Sequence, residues 1–215
     1  RVDGIALTGI THTESTRAML ARARVPVVEM WNLPRRPFDC AVGFSNVAAA
    51  RAMVRHLCAR GYRRIAYIGG LLYKNDRTQA RERGYRAGLL EAGLHVAEAH
   101  VRRTPFEFEN GAAALSDLLQ TNSSIDAVFA ASDVLAVGAL LHCLRRGWPV
   151  PDKVALAGLD GSPIGALITP ELTSIRFPRR QIGVRAAELL LDRIRGRPAG
   201  VVEDLGFELL AGGSA

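Results

Sequence analysis

Short apolar runs alternate along the chain with longer stretches of helical period, a pattern that predicts a parallel sheet with helices on its faces. Residues 2–8 read as a buried strand, Glu14–Ala23 as a helix and residues 26–30 as a second strand, followed by a loop over 31–39 that carries Pro34 and Pro37. Ser45 offers an N-cap hydroxyl to a helix in which Val47, Ala50, Val54, Leu57 and Cys58 share a face, and Gly61 stops that helix. Ile65–Gly69 is the next strand, and residues 78–92 form a helix ended by Gly93. A short strand over 100–102 leads through Pro105 to a helix over 108–119. Residues 126–130 are a strand, and Ser132 caps a helix with Val134, Val137, Leu141 and Leu144 on one face. Residues 154–158 are another strand, 159–170 a loop rich in Gly and Pro, and 173–177 a short extended segment. The helix over 179–195 has two apolar stripes, one of Ile182, Ala186, Leu189 and Leu190, the other of Val184, Ala187, Leu191 and Ile194. A helix apolar on two sides is buried twice, so the second stripe is expected to meet a partner subunit.

With 215 residues, 48% of them hydrophobic, the chain is neither disordered nor fibrous and is long enough to bury a core without disulfides or metals. Its apolar runs stop short of the roughly 20 residues that a membrane-spanning helix needs. Cys40, Cys58 and Cys143 are odd in number, lack metal-type spacing, and read as small buried thiols of a reducing compartment, the cytoplasm. The net charge of +7 invites a nucleic-acid reading. However, the positive residues, all arginine except Lys74 and Lys153, come as scattered pairs such as Arg35-Arg36 and Arg145-Arg146 without interleaved aromatics. A solvated, arginine-biased surface is the plainer account.

No nucleotide fingerprint, metal-ligand spacing or nucleophile–base constellation occurs, so neither a cofactor nor enzymatic chemistry is expected. Polar and aromatic residues do gather at the carboxyl ends of the predicted strands, where open α/β sheets bind ligands. Ser132-Asp133 follows one strand, Asp160 another, and Trp31 a third; Arg81 lies early in one following helix and Phe106 just before another. Carboxylates accept from hydroxyls, a guanidinium donates in a planar fork, and rings cover C–H faces, which suits a sugar-like ligand. Taken singly, Ser132 and Asp133 also read as an N-cap pair, Asp160 as a turn former, Arg81 as a helix-surface residue dispensable to the core, and Phe106 and Trp31 as ordinary core. Their joint placement favours the ligand reading.

The stretches VDGIALTG, AARAMVRHLCARGYRRIAYIGG, RERGYRAGLLEAGL, DAVFAASDVLAVGAL, VALAGLD and PELTSIRFPRRQIGVRAAELLLDRI cover nearly the whole chain. In that order they resemble the effector-binding core of the lac/gal repressor family of bacterial transcription regulators. The AVGFSN and VVEDLGFEL pieces look most like the branch that answers to gluconate and related sugar acids. The resemblance implies effector contacts from Arg81, Asp160, Ser132, Asp133 and Phe106. Leu159 stands where the family has an aromatic, Ser132 where it has asparagine, and Trp31 where many members carry an aspartate.

The fold so implied is α/β, two interleaved Rossmann-like lobes with parallel sheets of the periplasmic-binding-protein-like type I. Residues 1–45 with 177–205 form an incomplete amino-side lobe, and 46–176 with 206–215 the carboxyl-side lobe. The helix-turn-helix DNA reader and hinge are expected outside this chain, so operator DNA is met only through them. The resemblance implies a cytoplasmic homodimer whose interlobe cleft takes a small sugar or sugar acid such as gluconate and so alters operator affinity, with no membrane role. A periplasmic sugar-binding protein of a transporter is the rival, and a Rossmann-like sugar-acid enzyme a more distant one.

Overall fold

A computed structural model describes residues 2–215. In chain order the elements are β1 (Ile5–Thr8), α1 (Glu14–Ala23), β2 (Val27–Met30), β3 (Cys40–Gly43), α2 (Asn46–Ala59), β4 (Ile65–Gly69), α3 (Asp76–Glu91) and β5 (Val101–Arg103). Then come α4 (Phe108–Thr121), β6 (Ala127–Ala130), α5 (Asp133–Arg145), β7 (Ala155–Asp160), β8 (Thr173–Arg176), α6 (Arg179–Ile194), β9 (Val202–Asp204) and β10 (Glu208–Leu210). The chain divides into two units. Unit 1 holds the residues up to Ser45 with Lys74–Arg77 and Phe177–Phe207; unit 2 holds Asn46–Tyr73, Thr78–Arg176 and Glu208–Ala215.

Unit 1 is a four-stranded sheet in the order β1-β2-β3-β9, parallel throughout. β2 and β3 are buried, but β1 alternates between half-buried and exposed positions. The expected buried strand over 2–8 is therefore corrected: pairing with β2 begins only at Ile5, and β1 is a sheet edge. Its apolar residues matched a central strand, but burial follows the number of neighbours and not composition. Helix α6 turns Ile182, Ala186 and Leu189 inward, while Val184, Leu191 and Ile194 remain 44–49% exposed.

Unit 2 is a six-stranded sheet, β10-β8-β7-β6-β4-β5, parallel except for the β10–β8 pair. On one face Ile68, Val128 and Leu156 pack against Leu115, Leu118, Leu135 and Leu140 of α4 and α5. On the other, Tyr67 stacks on Tyr85 of α3 at 4.8 Å and meets Phe129 edge-on. Burying one such side chain contributes about 1.5–3 kcal/mol. Helices α4 and α5 approach closely because Gly111 and Gly138 face the backbone carbonyls of Leu135 and Phe108, where a Cβ would overlap. The inward face of α5 runs through Leu135, Ala136, Ala139, Leu140 and Cys143. This corrects the expected stripe, since Val134 and Leu141 are only half-buried and Leu144 is 44% exposed.

Helices α2 and α3 end as their glycines predict. The Tyr62 N–H reaches the Leu57 carbonyl and the Gly61 N–H that of Cys58, with Gly61 at φ 99°. Leu94 and Gly93 repeat the arrangement on Leu89 and Leu90. Both are Schellman closures, which require a left-handed residue that only glycine adopts freely.

Candidate ligand-binding site

At the carboxyl edge of the unit 2 sheet, four of the expected residues meet. Asp160 ends β7, and its Oδ2 accepts from the Ser132 hydroxyl at 2.7 Å and the Asp133 N–H at 3.3 Å, so the carboxylate sits on the N-terminus of α5. Backbone N–H groups and the helix dipole favour an anion there. Ser132 is at the same time the N-cap, accepting from the Val134 N–H at 3.3 Å. The N-cap reading of Ser132 therefore holds.

Arg81 closes the cluster. Its Nε donates to Asn46 Oδ1 at 2.9 Å, and its Nη1 to the Ala131 carbonyl at 2.6 Å and, at 3.5 Å, toward Asp160 Oδ1. It is only 8% exposed, which corrects the helix-surface reading: the fork is oriented by unit 2 itself, and removing it strands buried acceptors. Asp133 is 1% exposed; it accepts from the Ser174 hydroxyl at 2.6 Å and the Ser162 N–H at 2.5 Å, holding the segment after β7 against β8. Gly158 makes room for that carboxylate, since a Cβ there would collide with Asp133 Oδ1. Phe106, 39% exposed, lays its ring over Gly70 just beyond the end of β4, again where a Cβ would collide.

Trp31 belongs to unit 1. It follows β2 at φ 79°, a backbone value rare for a bulky residue, and meets Phe177 edge-on at 6.2 Å; Phe177 in turn stacks on Phe44 at 4.4 Å. Beside it Asn32 Nδ2 donates to Asp76 at 2.9 Å, and the Ile10 N–H reaches the same carboxylate oxygen. Asp160, at φ 154°, is the other strand-end residue in an unusual conformation, and such strain concentrates at ligand sites.

Asn46, Ser162, Ser174 and Gly158 were not singled out from the sequence. Asn46 alone left a trace, as a polar residue opening an apolar helix. Part of the arginine surface is neutralised by pairing, as in Arg86 and Arg103 with Glu82 in unit 2 or Arg185 with Glu203 in unit 1. Among the described residues no acidic, histidine or cysteine group is placed to hold a metal, and no helix is long and apolar enough to cross a membrane.

The periplasmic binding protein-like domain matches residues 54–215. The HTH-type transcriptional regulator GntR of Escherichia coli K12 is 40% identical over 99% of this chain, which spans 64% of that protein. The crystal structure of the transcription regulator GntR from Chromobacterium violaceum superposes with a TM-score of 0.91 at 37% identity, covering 99% of this chain and 78% of that one. The chain belongs to the periplasmic binding protein-like family, in its lac/gal repressor branch. The complex of the regulator CelR with cellobiose shares that fold, at a TM-score of 0.89 and 33% identity over 100% of this chain and 66% of that one. Family membership accounts for the parallel sheets.

Proposed function

We propose that this chain is the effector-sensing core of a cytoplasmic, homodimeric transcriptional repressor, and that its effector is a small polyhydroxylated acid such as gluconate. The observation that carries the reading is the buried Arg81–Asp160–Ser132 cluster at a strand edge, in a chain 40% identical to a regulator named GntR. Arg81 supplies a buried positive charge and a guanidinium N–H for a carboxylate, Asp160 accepts from ligand hydroxyls, and Phe106 covers an apolar edge. Ser132 and Asp133 set the geometry of Asp160 and of the loop behind it. Trp31 is the corresponding aromatic on unit 1. The two units are taken as the two lobes of the core, and operator DNA is contacted through a domain outside this chain. Effector binding then changes operator affinity by stabilising one of two conformations.

Calorimetry with gluconate, a neutral hexose and a purine base tests this. Gluconate is expected to bind most tightly, and Arg81→Lys, which keeps the charge but loses the fork, to weaken it by about tenfold, the worth of one charge-assisted hydrogen bond. A preference for the hexose or the purine overturns the acid assignment. Unchanged affinity in Arg81→Lys removes Arg81 from the site.

A further inference from the structure

We propose a second ligand site on unit 2, at the opposite end of its sheet, for a small anion with a planar apolar body. A cavity of about 330 Å³ lies where α4 and α5 end and the chain turns into β7. Ser116, Leu119 and Gln120 form one wall, with Arg146, Trp148 and Lys153 across from them. Trp148 packs inward on the buried core and meets His142 edge-on at 5.5 Å, so the ring is held in place. Lys153 Nζ stands 4.1 Å from the ring centroid.

The charge here is unbalanced. Elsewhere in unit 2, Arg64, Arg86, Arg102 and Arg103 each meet a carboxylate, while Arg55, Arg60 and Arg83 meet none, so what marks this place is that its cations line a cavity. Among the described residues Arg145, Arg146 and Lys153 meet none, and no acidic side chain lines the cavity. Offsetting the carbonyl end of α5 accounts for one cation, not three. The surplus is felt locally: burial first, then the charges of Arg146 and Arg145, hold His142 below the ordinary imidazole range. An anionic oxygen that draws Lys153 off the Trp148 ring and pairs with it and with Arg146 relieves that repulsion and opens the ring face, beside Leu119, to a flat body. Ser116 and Gln120 supply hydrogen bonds at the rim.

The sequence contains two tryptophans, so Trp31→Phe leaves Trp148 as the sole reporter. That variant is titrated with phenyl phosphate, inorganic phosphate and benzyl alcohol, and calorimetry on the unaltered protein repeats the series without relying on the substitution. Phenyl phosphate is expected to give a saturable response, tighter than either partial probe and weakening as salt rises. The double change Arg146→Ala with Lys153→Ala, both at exposed side chains, is expected to weaken it by about tenfold or more. Arg81→Lys is expected to leave it unchanged. The proposal is overturned if phenyl phosphate gives no saturable response, if inorganic phosphate binds as tightly, or if affinity follows Arg81 and not Arg146 and Lys153.

Discussion

At the carboxyl edge of the six-stranded sheet the polar groups are ionic: Arg81, Asp160 and Ser132 form one hydrogen-bonded cluster on the N-terminus of α5. At the same edge of the four-stranded sheet the corresponding ground is aromatic, with Trp31 against Phe177 and Phe177 on Phe44. Both edges hold a residue in an unusual backbone conformation, Asp160 in one and Trp31 in the other. The sheets also differ in burial. Both leave their edge strands partly open, β5 and β10 in one and β1 and β9 in the other, but unit 2 encloses β4, β6 and nearly all of β7 while unit 1 encloses only β2 and β3. A buried ionic cluster needs surroundings that fix its hydrogen bonds, and the covered central strands of the larger sheet provide them.

The strongest way to break the comparison is Gly138→Val, which drives a side chain into the Phe108 carbonyl where α4 and α5 touch. A loss of about 3 kcal/mol or more is expected, read as a large drop in the urea midpoint reported by Trp148. A midpoint within error of the parent would show that the two helices can separate freely.

Leu191→Glu addresses the open face of α6, where Leu191 is 49% exposed. If this stripe is the dimer contact, burying an unpaired carboxylate there costs on the order of 2–4 kcal/mol of association, and sedimentation shows monomers. An unchanged dimer removes α6 from the interface.

Acid should reach unit 2 early. Burial, reinforced by neighbouring arginines, holds His56, His100 and His142 below the ordinary 6.5. Unfolded imidazoles therefore bind protons before the folded ones do, and stability falls as pH drops below about 6.5. Glu82 adds a later loss: burial pushes its carboxyl up, but hydrogen bonds from Arg103 and Arg86 outweigh this and hold it below 4.5. Its contribution is present above that value and is lost as pH falls through the lowered pKa. Urea midpoints that stay flat between about pH 7 and pH 5 would contradict the histidine part.

The smallest effect is expected in unit 1. Gly183 on α6 has open space where a Cβ would stand, so Gly183→Ala should stabilise by about 0.5–1 kcal/mol through helix propensity and the unfolded chain. A rise of a few degrees in the melting temperature is the readout. The same residue type thus destabilises in one unit and stabilises in the other when replaced.

Much of this was readable beforehand. The bounds of α1 and β4 follow from the apolar pattern alone, and the ends of α2 and α3 from Gly61 and Gly93, because period and turn chemistry are local. β3, β9 and β10 went unread: each is set by pairing with another strand, β3 with β9 and β10 with β8, across a long stretch of chain. The face of α5 was misread for a related reason. It is apolar almost all round, so its neighbours α4 and β7, and not its own periodicity, choose which stripe is buried.

For the candidate site, residue type and position after a strand were enough to select Arg81, Ser132, Asp133 and Asp160, because a parallel sheet delivers all its strand ends to one edge. Which of them faces which was not in the sequence. Asn46 turns Arg81, Ser174 and Ser162 occupy Asp133, and Gly158 makes room for that carboxylate, across separations of 35, 41 and 29 residues for the three hydrogen bonds. Local chemistry names the groups that can act, but only packing between distant segments decides which hydrogen bonds each one makes.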